Sequence, residues 1–390
     1  MQIILPLFII ITLLYAALII YYRFAFTSIP LINQPTNQLN NPSTSLSIII
    51  PARNEQQNIE HCIQSILQNH YPTHLLEIIV VDDHSDDNTP TLVKKYAAQN
   101  VKLLSLSHFV THKINAYKKK AIEVAIAQAT GTLIITTDAD CIVPPNWLQT
   151  IASFYEQKKP AFIAAPVAID CGWSFIQIFQ SLDFMTLQGI TAAVVHKKQM
   201  TMCNGANMAY ERSAFYEVGG FAGIDTIASG DDMLLMHKIY KQYPNRVLFL
   251  KSKEAIVKTA AVNNITQFFN QRIRWASKAD KYDDKRILPV LFLVYFFNVV
   301  MLVMPIVAIF NNVQYSMFNI PCSMLGVWIW MFTFKIIIEL FFLYPVAVFF
   351  SKKPLLWFFP FLQPFHICYT IIAGWLGKFG TYTWKAREVK

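Results

Sequence analysis

Neither a Gly-x-Gly-x-x-Gly nor a Gly-x-x-x-x-Gly-Lys-Ser/Thr stretch occurs in the 390 residues. Both fingerprints need glycines so that backbone N–H groups can approach phosphates. Their absence removes the sequence support for dinucleotide binding of that kind and for P-loop hydrolysis. Cysteine is sparse: Cys62, Cys141, Cys171, Cys203, Cys322 and Cys368 are scattered, with no Cys-x-x-Cys pair and no histidine at zinc-ligand spacing. Buried free thiols are expected rather than a zinc site. His108 and His112 stand four apart, but without helical patterning or an intervening Glu, so they do not read as a metal pair. No basic residue precedes the first apolar run, which is longer than a usual signal-peptide core, so an uncleaved anchor is expected. Only 15% of residues are charged against 54% hydrophobic, and mean hydropathy is +0.35, which excludes an ordinary soluble enzyme.

What is present is the pattern of a membrane protein with one large soluble domain. Residues 1–22 are apolar and uncharged up to Arg23. At about 1.5 Å per residue they can cross a hydrocarbon core of about 30 Å, so a transmembrane helix is expected over 1–23. Asn, Gln, Pro, Ser and Thr dominate from Pro30 to Ser45, and 24–45 is expected to be a linker. Apolar runs at 287–310, 324–350 and 355–376 make 286–390 a C-terminal membrane region. Within the second of these, Lys335 and Glu339 share a helical face and are expected to neutralise each other. The formal charge is +9, with cations beside apolar runs at Arg23, Lys285-Arg286 and Lys352-Lys353. They read as cytoplasmic-face anchors, and no nucleic-acid partner is expected. Arg23 and the stretch from Lys278 to Arg286 place the intervening domain in the cytoplasm, at the plasma (inner) membrane, while the uncharged loop from Asn311 to Ser323 suits the opposite side. Pro360 and Pro364 interrupt the last run, and Lys378, Lys385, Arg387 and Lys390 follow it. A re-entrant or interfacial segment with a cytoplasmic C-terminus is therefore predicted.

Between these regions short apolar runs alternate with helical patterns. Leu46 to Ile50, Glu77 to Val81 and Leu133 to Thr137 read as buried strands, with helices near Asn58 to Gln68 and Lys118 to Ala129. Such alternation predicts an α/β fold with a parallel sheet and crossover helices, whose chemistry gathers beyond the carboxyl ends of the strands. The first strand runs into Pro51-Ala52-Arg53-Asn54-Glu55 and the second into Asp82-Asp83-His84-Ser85-Asp86-Asp87-Asn88-Thr89. These groups suit hydrogen bonding to a base and ribose; a solvated acidic turn is the plainer alternative. The third ends in Thr137-Asp138-Ala139-Asp140-Cys141. Alternate residues of an extended segment point the same way, so both carboxylates could face one hard ion such as magnesium or manganese. Downstream come Cys203-Asn204-Gly205-Ala206-Asn207-Met208-Ala209-Tyr210, then Ser229-Gly230-Asp231-Asp232-Met233-Leu234-Leu235, then Gln271-Arg272-Ile273-Arg274-Trp275. An acidic group at a helix start is favoured by the helix dipole, and simple N-capping by Asp231 is the plainer alternative. Gln271, Arg274 and Trp275 fall on one helical face, which also fits an amphipathic helix anchored at a bilayer.

In combination and order these motifs make residues 46–278 similar to family 2 glycosyltransferases. The resemblance implies a Rossmann-like glycosyltransferase A-type domain over 46–285, with a nucleotide-binding half (46–140) and an acceptor half (141–285) that includes an interfacial helix. It implies that Pro51, Arg53, Asn54 and Glu55 close around the nucleoside, that Asp82 and Asp83 bind the base, and that Lys118 contacts the nucleotide. The run Lys118-Lys119-Lys120 also reads as an ordinary solvated helix end. Asp140 matches the family's metal ligand for Mn2+ or Mg2+, with Asp138 beside it approaching the ribose or donor sugar. Asp232, with Asp231 beside it, matches the general base, a role for which burial would have to raise its pKa. Gly205, Asn207, Gln271, Arg274 and Trp275 match acceptor and diphosphate groups, Arg274 binding diphosphate and Trp275 stacking beneath the acceptor. Glu123, where many members carry Asn, and Glu211 before Arg212, where an Arg pair is frequent, depart from the pattern and weaken inference about substrate. The implied reaction is a metal-assisted single displacement with inversion, from a nucleotide-diphospho-sugar, uridine being the commoner base, to a lipid or cell-envelope glycan. A processive polysaccharide synthase is the nearest alternative, supported by Gln-x-x-Arg-Trp. An inactive nucleotide-binding membrane scaffold is opposed by Asp138, Asp140, Asp232 and Arg274. Nucleotidyl transfer lacks its basic triphosphate loop.

Overall fold

The structure is a computed structural model that describes residues 4–32, 42–111, 114–228, 230–276, 284–310, 314–317, 320–379, 382–384 and 387–389. Residues 33–41 of the expected linker, His112, Ser229, Lys278, Lys385 and Lys390 lie outside the described residues, as does the side chain of Lys378.

Ten strands build the α/β part: β1 (Leu46–Ala52), β2 (Leu76–Asp82), β3 (Val101–Ser105), β4 (Leu133–Thr136), β5 (Cys141–Ile142), β6 (Phe162–Ala164), β7 (Val167–Asp170), β8 (Met208–Glu211), β9 (Val247–Phe249) and β10 (Val257–Ala260). Seven form one sheet in the order β3-β2-β1-β4-β8-β6-β9. The pairs among β3, β2, β1 and β4 are parallel, as expected for runs such as Ile48-Ile49-Ile50 that are buried on both faces. Beyond these strands the sheet is mixed: β8 is antiparallel to both β4 and β6. β3 has no counterpart in the sequence reading, because Lys102 and the half-buried Leu103 and Leu104 do not stand out as an apolar run. A second sheet in the order β5-β10-β7 lies beyond the end of β4.

Eight helices accompany the sheets: α2 (Ile59–Leu67), α3 (Thr89–Lys94), α4 (Tyr117–Gln128), α5 (Trp147–Lys158), α6 (Phe175–His196), α7 (Arg212–Glu217), α8 (Met233–Gln242) and α9 (Ile265–Ala276). Four more flank them in sequence: α1 (Ile4–Thr27), α10 (Ile287–Phe310), α11 (Met324–Phe349) and α12 (Phe359–Phe379). The first helix runs past Arg23, so the boundary expected there moves to Thr27. The linker is also shorter than 24–45: Ile32 N donates to the Lys251 carbonyl, and Thr44 N and Oγ1 donate to Glu156.

By length and composition, five helices among the described residues could cross a membrane: α1, α10, α11, the segment containing α12, and α6. The sequence reading missed α6 because Gln177, Gln180, Asp183 and Gln188 break its apolar run. The structure buries α6 between the sheets and the outer helices. Its Gly189 lies so close to α11 that an added Cβ would meet Val346 Cγ2 at 2.7 Å and Phe342 Cζ at 2.9 Å.

The outer helices share one polar knot. Lys335 Nζ donates to Glu339 Oε1 at 2.6 Å and to Gln363 Oε1 at 2.7 Å, and Glu339 also accepts from the Tyr15 hydroxyl. The pair expected from the sequence is thus tied to α1 and α12 as well. Removing one partner would leave the other charge uncompensated in an apolar bundle, whereas removing both leaves none. Lys335→Met is expected to lower the thermal midpoint in detergent on the order of 5 °C, and Lys335→Met with Glu339→Gln to recover most of that loss. Equal midpoints for wild type and the single variant would show that the knot contributes nothing.

Candidate active site

The carboxyl ends of β1 and β2 are zipped together before any ligand is considered. Arg53 Nη1 donates to the carbonyls of Asp83 and His84 at 2.8 and 2.9 Å. Asn54, in the left-handed region at φ 53°, donates its N–H to Ser85 Oγ and accepts from Asp86 N. Pro51, Arg53, Glu55 and Asp83 line one large cavity. Asn54 and Asp82 do not. Asn54 serves the loop-to-loop zipper, and Asp82 lies beneath the surface accepting from Ser85 N. Burial raises the pKa of Asp82, and the Ser85 bonds only partly offset this.

Three consecutive lysines at the start of α4 have three different environments. Lys120 pairs with Glu123 at the surface, and Lys119 is buried with its Nζ on the carbonyls of Ile224 and Ile227. Lys118 reaches into the cavity, 2.8 Å from Asp138 Oδ1 and 3.1 Å from Asp231 Oδ2. A solvated helix end is therefore excluded for Lys118. Burial opposes its charge, but Asp138, Asp231 and Asp232 more than offset that and hold its pKa above the usual lysine value.

Asp138 and Asp140 are not alternate residues of a strand. β4 ends at Thr136, and the two aspartates lie in the turn before β5, where strand periodicity no longer applies. Asp138 turns to Lys118, while Asp140 is exposed to the cavity and accepts from Thr259 Oγ1 at 3.4 Å. Among the described residues no three His, Cys, Asp or Glu side chains gather as a metal cluster. The arrangement still fits Mn2+ or Mg2+, which are commonly held by one or two carboxylates, with substrate phosphates and water completing the shell.

Across the cavity, Gly230 (φ 84°) turns the chain into α8. Asp232, not Asp231, is the N-cap, with Oδ1 accepting from Met233 N at 2.7 Å. Asp231 is buried and faces Lys118. Gly205 packs directly on that pair: a Cβ there would lie 3.1 Å from Asp231 Oδ2 and 3.2 Å from Lys118 Nζ. Gly205→Ala is expected to lower turnover about tenfold with little change in thermal midpoint, since the methyl displaces charged groups in the site rather than the core. Unchanged turnover would mean that this contact has slack.

Asn207 is corrected. It is fully buried; its Nδ2 donates to the carbonyls of Pro166 and Ala255, and its Oδ1 accepts from Trp147 Nε1. No amide group is left for a ligand, and the residue supports the wall behind Gly205. Gln271, Arg274 and Trp275 of α9 all line the cavity, with Trp275 against Phe184 at 5.8 Å between ring centres. Glu123 and Glu211, the two departures, lie outside it, Glu211 being paired with Arg246 and Tyr155. Arg272 and Asp183, paired at 2.8 Å and both lining the cavity, escaped the sequence reading. The available signal was that Asp183 is the lone acidic residue in an apolar helix.

The cavity, of about 1230 Å³, runs from Asp140 and Asp232 to α1, α10, α11 and α12, so polar chemistry and apolar helices share one space.

Residues 47–219 match the family model described as glycosyl transferase family 2. The chain is 26% identical over 241 residues to a probable glycosyltransferase, YdaM, of Bacillus subtilis, covering 59% of this chain and 54% of that protein. It is 25% identical over 279 residues to an N-acetylglucosaminyltransferase of Mesorhizobium japonicum, covering 67% and 63%. The chain thus spans less than two thirds of the length of either relative. Among solved structures, a mannosyltransferase from Pyrobaculum calidifontis, in complex with GDP-Man and Mn2+, aligns with a TM-score of 0.56 at 18% identity over 95% of each chain, a likeness of fold. Together with the order of strands and the convergence of the motif residues on one cavity, these matches identify residues 47–219 as a glycosyltransferase family 2 domain.

Proposed function

We propose that the chain is a membrane-anchored inverting glycosyltransferase that moves a sugar from a nucleotide-diphospho-sugar, a UDP-sugar by preference, to a lipid or cell-envelope glycan. The carrying observation is the continuity of the cavity between the carboxylates at Asp138, Asp140 and Asp232 and the apolar faces of the outer helices.

In this reading Pro51, Arg53, Glu55 and Asp83 hold the nucleoside, and Lys118 holds Asp138 toward the ribose and donor sugar. Asp232, oriented by its bond from Met233 N, takes the proton from an acceptor hydroxyl as that oxygen attacks the anomeric carbon. The nucleotide diphosphate leaves from the opposite face with the bonding electrons, beside Arg274. A divalent ion held by Asp140 would supply Lewis-acid stabilisation of that leaving group. Gln271 and Trp275 form the acceptor wall.

In this reading the catalytic domain lies in the cytoplasm, at the plasma (inner) membrane. Lys251 donates to the carbonyl of Phe26 at the end of α1, and Lys352, after α11, donates to Ile169 O and Ser181 Oγ. These bonds support a shared, domain-side end for α1 and α11. Packing of α12 along α9 as well as α10 favours an interfacial or re-entrant course for it.

The test is nucleotide diphosphate release by detergent-purified protein across a panel of sugar nucleotides, with Mn2+ or Mg2+ and a membrane lipid extract. Metal-dependent release from one donor, abolished by chelator, is the expected outcome. Nucleotide binding without turnover of any donor would favour the inactive scaffold. A processive synthase keeps a claim because Gln271, Arg274 and Trp275 all face the cavity; a polymeric rather than single-sugar product would establish it.

A further inference from the structure

Arg272 and His366 line the cavity without a role in the scheme above, and Gln271 enters it only as part of the acceptor wall. Arg272 is 3% exposed, with its guanidinium 4.2 Å from the Trp275 ring centre and 5.0 Å from that of Phe268. Its Nη2 lies 2.8 Å from Asp183 Oδ2, and Asp183 is held from the other side by the Tyr369 hydroxyl at 2.6 Å. Arg272 Nε and Nη1 are buried without a hydrogen-bond partner, as are Gln271 Oε1 and His366 Nδ1. All three residues line the cavity. Buried polar atoms are normally satisfied, so several exceptions on residues that line one cavity mark a ligand's place.

Resting on the glycosyltransferase reading, we infer that this recess seats the head of the acceptor, and that the acceptor is a neutral, hydroxyl-bearing lipid entering from the bilayer. The charges already present are internally paired, Arg272 with Asp183 and Lys335 with Glu339, so the recess offers no uncompensated cation to a phosphate. Asp138, Asp140, Asp231 and Asp232 border the same space and disfavour a second anion near the donor. The unused atoms include donors on Arg272 and an acceptor on Gln271. A hydroxyl answers both, whereas an ionised phosphate only accepts.

Entry is from the side. Leu291 and Phe292, in the first turns of α10, line the cavity and are 40% and 72% exposed. Across from them α12 comes so close at Gly374 that a Cβ would meet the Tyr295 ring at 2.9 Å. This mouth lies near the domain-side end of α10, at the depth of lipid heads, and its apolar rim suits a lipid tail. In the reaction, the lipid hydroxyl oxygen bonds to the anomeric carbon, its proton passes to Asp232, and the sugar–phosphate bond breaks toward the nucleotide diphosphate. A phosphate nucleophile is already ionised and would leave Asp232 without a proton to remove.

The full chain is to be assayed in phosphatidylcholine vesicles with the donor that turns over in the lipid extract. The vesicles carry diacylglycerol, monoglycosyl diacylglycerol, phosphatidic acid or polyprenyl phosphate. Glycosylation of either neutral lipid and of neither phosphate is expected. Arg272→Met combined with Asp183→Asn keeps the recess neutral and is expected to raise the acceptor KM about 10- to 100-fold while the donor KM stays near wild type. Glycosylation of polyprenyl phosphate or phosphatidic acid would overturn the inference, as would a double variant with a lowered thermal midpoint and an unmoved acceptor KM. Turnover in the extract with neither neutral lipid accepted sinks this inference alone. No turnover with any donor and extract sinks the glycosyltransferase reading beneath it.

Discussion

Replacing Asp232 by Asn is expected to slow glycosyl transfer about 10²- to 10⁴-fold, the usual contribution of a positioned general base. The substitution is nearly isosteric, and Asn caps a helix as well as Asp does, so the bond from Met233 N and the start of α8 survive. What disappears is the capacity to take a proton. Lys118, Asp138 and Asp231 are untouched, so donor affinity should change little and the loss should fall on kcat. Calorimetric titration with the nucleotide diphosphate, beside initial-rate measurements with donor and acceptor, separates the two quantities. A variant that turns over as fast as the wild type removes Asp232 from the chemistry.

Lys118→Met is expected to cost both stability and function. The ammonium joins Asp138, beyond the end of β4, to Asp231, before the start of α8. Asp231 is buried, so loss of the cation leaves a carboxylate with little water to solvate it. Breaking a buried pair on one side costs 3–5 kcal/mol in well-enclosed cases; here the partial exposure of Asp138 and Lys118 argues for about 3 kcal/mol. Donor turnover should vanish with it, because Asp138 loses the group that orients it. Adding Asp231→Asn should restore much of the thermal midpoint and none of the turnover. Recovery of turnover in that double variant would show that Lys118 acts only as a structural clamp. Lys119→Met, by contrast, removes donors from the carbonyls of Ile224 and Ile227 and should lower stability without acting on the donor directly.

The contrast between neighbouring lysines shows where sequence reading stops. Strand existence was legible because parallel strands buried on both faces must be continuous apolar runs, and Leu46 to Ile50 and Leu133 to Thr136 are such runs. The N-terminal apolar helix and the Lys335–Glu339 pair were legible because length, hydropathy and helical spacing are local properties. The antiparallel insertion of β8 was not, since strand direction in a sheet depends on the path of distant connections. Asn207 illustrates the same limit: an Asn in a Gly-Ala-Asn stretch carries no mark of whether its amide faces a ligand or, as here, two backbone carbonyls and an indole.

The sequence by itself determined the α/β class, the apolar segments, and the set of acidic and basic residues that stand at strand ends, because each follows from periodicity or from a short run of residues. Only the tertiary structure decided which of them meet. Lys118 and Asp231 are 3.1 Å apart across more than a hundred residues of chain, Asp183 of an apolar helix pairs with Arg272, and one cavity joins the carboxylates to the outer helices. Such meetings are fixed by how helices pack on the sheet and on one another, and long-range packing leaves no imprint in local spacing.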